Sequence, residues 1–197
     1  MIRNRTLLVF VFCLLCVARA SAQEAKQPQT DGGGGLVYGK DHMFAIKAPK
    51  GWVLDNVSGI KEGLYSVFYP EGSSWKSGAV VMYVNTVPLD QSKKETVDSV
   101  IEYDLGAYKK HSPSVSIESA DPLATRRENH KAVVKHFSGD RDNNYEAVAY
   151  VGETKVVVML VLTARTKGDF QSSLRAFKEL VASYFLISDV VTMDPEK

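Results

Sequence analysis

The sequence predicts an α+β fold, a mostly antiparallel sheet sandwiched between helices. Three observations predict it. Val156 to Leu162 reads Val-Val-Val-Met-Leu-Val-Leu, with no polar alternation. A strand with one wet face alternates, whereas a strand covered on both faces need not. Two other stretches repeat apolar residues at three- and four-residue steps, the mark of helices with one buried face. Short apolar runs punctuated by Gly and Pro fill the rest and read as antiparallel hairpins.

Taken in order, residues 1–22 read as a secretory signal peptide. Arg3 and Arg5 precede an uncharged run from Leu7 to Val17, and Ala20-Ser21-Ala22 places small residues before a cleavage point at Gln23. That run is shorter than the roughly 20 apolar residues a spanning helix needs. Residues 23–36 are rich in Gln, Pro and Gly and read as a flexible tether. One folded domain is expected over 37–187, with 188–197 as a frayed tail. Phe44 and Ile46 alternate with Ala45 and Lys47 in a first strand that ends at Pro49-Lys50-Gly51. Leu64 to Tyr69 and Val80 to Val87 read as strands, each closed by a proline. Val80 to Val84 should be covered on both faces like Val156 to Leu162. Ser92-Lys93-Lys94-Glu95 reads as a capping box. After it Val97, Val100, Ile101, Leu105 and Tyr108 form one stripe, stopped by Pro113. Val115–Glu118, Leu123–Arg127 and Ala132–Ser138 follow as strands, then Tyr145–Val151 and Lys155–Ala164, joined by Gly152-Glu153-Thr154. A second helix opens near Asp169, with Phe170, Leu174, Phe177, Val181 and Tyr184 as its stripe.

Composition limits the chemistry. Removing residues 1–22 takes away Arg3, Arg5 and Arg19 and both cysteines, Cys13 and Cys16. The charged residues go from 24 basic and 23 acidic to 21 and 23, a net of −2. A processed chain without thiols has no disulfide and no thiolate nucleophile or ligand. Its charge balance gives no footing to nucleic acid. Leu14-Leu15 precede Cys16 where a lipid-attachment site needs a small residue, so no lipid anchor is expected. No other apolar run reaches spanning length either.

Few residues stand out as candidate chemistry. Asp140, Asp142 and Asn144 have the one-three-five spacing that opens a calcium loop. The glycine due at position six is Tyr145, and the glutamate due at position twelve is Val151. Asp and Asn are also ordinary turn formers, which makes a solvated hairpin loop the plainer reading. His130 and His136 fall on one strand face but about 20 Å apart, too far to share a metal. His42 and His111 lie elsewhere in the chain. No Gly-x-Ser-x-Gly elbow and no phosphate-cradling motif is present. Trp75, in the polar stretch Glu71 to Gly78, either tucks over the sheet or anchors a partner. No cofactor is expected.

Phe44-Ala45-Ile46-Lys47-Ala48-Pro49-Lys50-Gly51-Trp52 resembles the opening hairpin of PsbP-like proteins, where an apolar strand runs into Pro-x-Gly-Trp. Phe177 to Phe185 is similar to that family's final helix. The resemblance covers nearly all of 37–187. It implies an α/β/α sandwich around an antiparallel sheet, the Mog/PsbP fold, and places DcrB-like bacterial envelope proteins nearest in character. Members of the family mostly bind or stabilise partners, and the matching positions here are turn and core positions, so no site residue carries over.

The leading expectation is therefore an exported, periplasmic or secreted, non-catalytic protein that binds an envelope protein or a small ligand. The alternatives are a hydrolase or other enzyme with an unrecognised site, drawing on His130, His136 or the Asp140 loop, and a calcium- or manganese-assisted accessory protein. An enzyme calls for an enclosed polar pocket with converging titratable groups. A binding module calls for an exposed apolar patch, with Trp75 as its expected centre.

Overall fold

The structure is a computed structural model that describes residues 33–64 and 66–191. The leader 1–22, residues 23–32 of the tether and residues 192–197 of the tail lie outside the described residues. Ten strands and two α-helices follow in the order β1 (Gly34–Gly39), β2 (His42–Lys47), β3 (Trp52–Asp55), β4 (Val67–Pro70), β5 (Val80–Pro88), α1 (Val97–His111), β6 (Ser116–Ala124), β7 (Lys131–Ser138), β8 (Tyr145–Gly152), β9 (Val156–Ala164), α2 (Lys167–Ser183) and β10 (Phe185–Ser188). Every strand pair is antiparallel.

One expected sheet is in fact two. Seven strands run in the order β3-β4-β5-β9-β8-β7-β6, and β1-β2-β10 make a separate small sheet. β9 is the middle strand of the large sheet, and every residue from Val156 to Leu162 is buried. Val156, Val158, Leu160 and Leu162 join the core with Phe170, Phe177, Leu180 and Val181 of α2. Val157, Met159 and Val161 point the other way, into a second core with Val100 and Ile101 of α1. The unbroken apolar run thus has its physical reason: neither of its faces meets water. On the α2 side, β8 offers Ala147 and Ala149, both fully buried. Such small side chains leave room for the large residues of α2.

The expectation for Val80–Val84 is corrected. β5 has Met82 and Val84 buried on the α2 side, but Val81 and Tyr83 are only half-buried. α1 lies over β8, leaving the neighbouring part of β5 without a helical roof.

Several boundaries also move. The tether does not extend to residue 36, because Gly34, Gly35 and Leu36 pair with β2. Gly35 sits so close to Leu54 that a Cβ there would come within 2.7 Å of its Cδ2, so a glycine-rich strand is what fits. At the other end Ser188 belongs to β10, one residue into the expected tail. Ser92 and Glu95 do not box α1. Asp90 caps a short 3-10 turn there, Glu95 accepts from the Asp90 amide, and Lys94 has a left-handed φ of 56° that breaks the chain direction. The real box is Thr96 with Ser99, and it starts α1 at Val97. α2 is capped by Thr166 and begins at Lys167. The strand expected from Leu64 starts only at Val67. The two strands expected over Val115–Glu118 and Leu123–Arg127 are one, β6, with an irregularity between Ala120 and Leu123 that absorbs Asp121-Pro122.

Candidate functional site

The small sheet presents a face that nothing among the described residues covers. Its inner side buries His42, Phe44 and Ile46. Alternation then turns Leu36 and Tyr38 of β1, Met43, Ala45 and Lys47 of β2, and Phe185 and Ile187 of β10 outward. Register aligns Leu36, Ala45 and Phe185 in one row and sets Tyr38 opposite Met43. Five of the eight large apolar side chains left exposed among the described residues lie here or just beyond: Leu36, Tyr38, Phe185, Ile187 and Val190, at 40 to 69%. The Arg126 guanidinium sits 5.5 Å from the centre of the Phe185 ring. Lys40 and Lys47 are exposed beside the face. Asp41 is held by Lys155 at 3.6 Å, and Asp189 follows β10. Among the described residues β1 and β10 each have a single neighbour, so both outer edges keep unpaired backbone groups there.

A second constellation lies under α1. Register places Glu146, Val148 and Tyr150 of β8 on the side of the large sheet that faces this helix. Tyr150 donates a hydrogen bond to Asp104 of α1, and Tyr108 of α1 donates one to Glu146. The pairing is reciprocal, with an acid and a tyrosine four residues apart on each element. Four residues keep one face on a helix, and an even offset keeps one face on a strand. Thr163 of β9 gives Glu146 a second hydrogen bond at 2.7 Å. Sequence reading missed this clasp, although Asp104/Tyr108 and Glu146/Tyr150 carry its spacing.

Burial pushes the Glu146 carboxyl up from its ordinary value, against the hydrogen bonds from Tyr108 and Thr163, and the negative charges of Asp140 and Asp104 add to the rise. Burial likewise raises Asp104, opposed by the Tyr150 hydrogen bond. A carboxyl raised in the folded state holds its proton better there than in the unfolded chain. Its ionisation opposes folding above the folded value, and the opposition fades as pH falls towards the unfolded value near 4.5. Asp55 works in the other direction. Burial pushes it up, but hydrogen bonds from Ser58, Val57 and Tyr69 outweigh burial and hold it low. It therefore supports folding above its ordinary value of 3.8 and loses that support below it. The two windows are separate. Glu146→Gln is therefore expected to gain melting temperature relative to the parent as pH rises above the unfolded value near 4.5, while His136, lowered by burial, opposes folding below 6.5 and acts alike in both proteins. A parent–variant difference that does not change with pH, measured by scanning calorimetry, would place Glu146 in water.

Two clefts flank α1 and share Asp104. One, of about 520 Å³, lies between the first half of α1 and the strands β5 and β9. The other, of about 380 Å³, lies towards the end of α1 and is walled by Tyr108, His111 and the loop from Asp140 to Asp142.

The sequence candidates fall as follows. Asp140 and Asp142 line the second cleft, and Asn144 does not. Asp140 Oδ1 accepts from the backbone amides of Asp142 and Asn144, so it organises its own loop. No cluster of three or more His, Cys, Asp or Glu side chains able to hold a metal ion occurs among the described residues. Trp75 is half-buried, edge-on to Tyr83 at 6.0 Å, and the exposed apolar face is elsewhere. The histidines are not brought together. His130 is not in β7; it contacts Thr125 and the Gly152 carbonyl. It also lies 3.7 Å from Glu153, whose buried carboxylate meets Arg127 at 3.4 Å and the Tyr184 hydroxyl at 3.1 Å. His136 packs edge-on against Phe170 on the α2 side. His42 stacks on Phe44, and His111 ends α1.

No family model matches the chain, and no curated protein does. Among solved structures it is similar to the solution structure of cyanobacterial PsbP (CyanoP) from Synechocystis sp. PCC 6803, with a TM-score of 0.51 and 13% identity over 79% of this chain and 93% of that one. An identity this low speaks for architecture alone: the chain has a PsbP-like fold, mostly antiparallel sheets with two helices.

Proposed function

We propose that this chain is an exported, non-catalytic accessory module that binds an envelope protein through the outer face of its small sheet. The observation that carries the reading is the concentration of exposed apolar side chains on that one face. Isolated surface apolars are ordinary, whereas a contiguous group with a polar rim marks an interaction site. The tether offers no cover of matching chemistry, since residues 23–32 hold no apolar side chain larger than proline. Lys40, Lys47 and Arg126 border the face, so the fitting partner is apolar at its centre and acidic at its margin. The open edges of β1 and β10 add backbone groups that a partner strand can pair. The PsbP-like fold supports the accessory role that the resemblance implies. Within that fold we read an α/β/α layering about β9 and a DcrB-like character, consistent with the leader at 1–22.

Leu36→Asp combined with Tyr38→Asp tests the reading. Partner binding in the envelope is expected to fall by about tenfold or more, because two desolvated apolar anchors become charges. Stability should stay within about 1 kcal/mol of the parent, as for other exposed positions. Undiminished binding would overturn the docking face. Export has its own check. Mass spectrometry of the secreted form is expected to show Gln23 as the first residue, and an intact leader or a lipid on Cys16 would contradict it.

A further inference from the structure

We propose that the larger cleft beside α1 binds a linear alkyl diamine or polyamine, a site distinct from the docking face. Its two ends are acidic and its middle is not. Glu95 stands just before α1, and Asp104 stands on its third turn. The helical part, Val97 to Asp104, rises roughly 10 Å at about 1.5 Å per residue, and Glu95 lies two residues further back, before the extended N-cap Thr96. Between them Val87, Val100 and Met159 make an apolar lining, and the Tyr103 ring stands exposed at the side.

Each carboxylate has capacity left. Asp104 gives one oxygen to Tyr150, and its other oxygen has no hydrogen-bond partner among the described residues. Glu95 uses Oε2 for the Asp90 amide. No Lys, Arg or His nitrogen among the described residues lies within 4.0 Å of either one. The nearby Lys93 is held by Asp90 at 3.1 Å. Carboxylates this far apart cannot share one metal ion, whose oxygen ligands sit within about 2.6 Å. They can each take one ammonium. The alkyl chain joining two ammoniums then lies over the valines and Met159, and Tyr103 adds a π-face for a cation. An amphipathic dication satisfies the acidic ends and the apolar middle at once.

The test is calorimetric titration of the purified protein with spermidine, with n-butylammonium, N-acetyl-lysine amide and Mg²⁺ as the other arms. Spermidine is expected to bind, and each one-headed amine to bind about tenfold or more weakly, having lost one charge-assisted contact. Asp104→Asn and Glu95→Gln should each weaken spermidine by about tenfold. Asp104→Asn keeps an acceptor for Tyr150, so α1 stays in place. Asp98→Asn removes the same charge from an exposed α1 position outside the cleft, and should leave binding unchanged. The proposal is overturned if spermidine gives no binding, if Mg²⁺ binds as well as spermidine, or if Asp98→Asn weakens binding as much as Asp104→Asn. Equal affinity for N-acetyl-lysine amide also overturns it, and reassigns the cleft to a lysine side chain of a protein.

Discussion

Leu160→Ala is expected to destabilise the protein by about 3 to 5 kcal/mol, the range for emptying a fully buried leucine site. Val161→Ala, the next residue, should cost about 2 kcal/mol. The pair is informative because the two side chains leave β9 in opposite directions. Leu160 is fully buried in the core under α2, and Val161 is buried in the core under α1. A strand with one wet face would lose stability at one position only. Urea unfolding with an unchanged slope measures both losses. A neutral Val161→Ala would mean that α1 does not roof β9.

Trp52→Ala should cost about 3 to 5 kcal/mol. Trp52 opens β3 directly after the turn Pro49-Lys50-Gly51, where Gly51 has a left-handed φ of 77°. Its amide donates to the Pro49 carbonyl at 3.1 Å. The indole shares a core with Phe44 and Ile46 of the small sheet and Phe68 of the large one. It therefore helps join the two sheets, and its loss should loosen the docking face from the body of the protein. The variant retains Trp75, the second of the chain's two tryptophans, as a fluorescent reporter. A cost below about 1 kcal/mol, ordinary for a surface residue, would remove Trp52 from the core.

Much of the fold was legible because periodicity records burial. The two-faced cover of β9, the stripes of both helices and the β7-β8-β9 meander all follow from which positions are apolar. The small sheet was not legible as a separate body. Phe44 and Ile46 announce a strand, but their pairing with Gly34–Gly39 and Phe185–Ser188 is a matter of tertiary register. Glycines in β1 read as a tether because they lack the side chains that mark a strand, and they fit because Leu54 packs against Gly35. Ser92 and Glu95 carry the letters of a capping box, yet Asp90 captures the Ser92 amide and the turn ends before α1 begins. The acid–tyrosine clasp had a visible spacing on each element, but nothing in either segment says that α1 lies over β8. Trp75 drew attention as a tryptophan in a polar loop, whereas the exposed apolar face is built from alternate residues of the β1–β2 hairpin and of β10, which lies far from them in sequence.

The most direct test of the docking face uses one engineered thiol. After Cys16 the chain has no cysteine, so in the form beginning at Gln23 proposed above Tyr38→Cys reports alone. Maleimide labelling of Tyr38→Cys should be fast in the purified protein and strongly slowed in the envelope where the partner is present. Glu102→Cys, on the exposed side of α1, should label alike in both. Equal labelling of Tyr38→Cys in the two settings would show that nothing sits on this sheet, and would contradict the account.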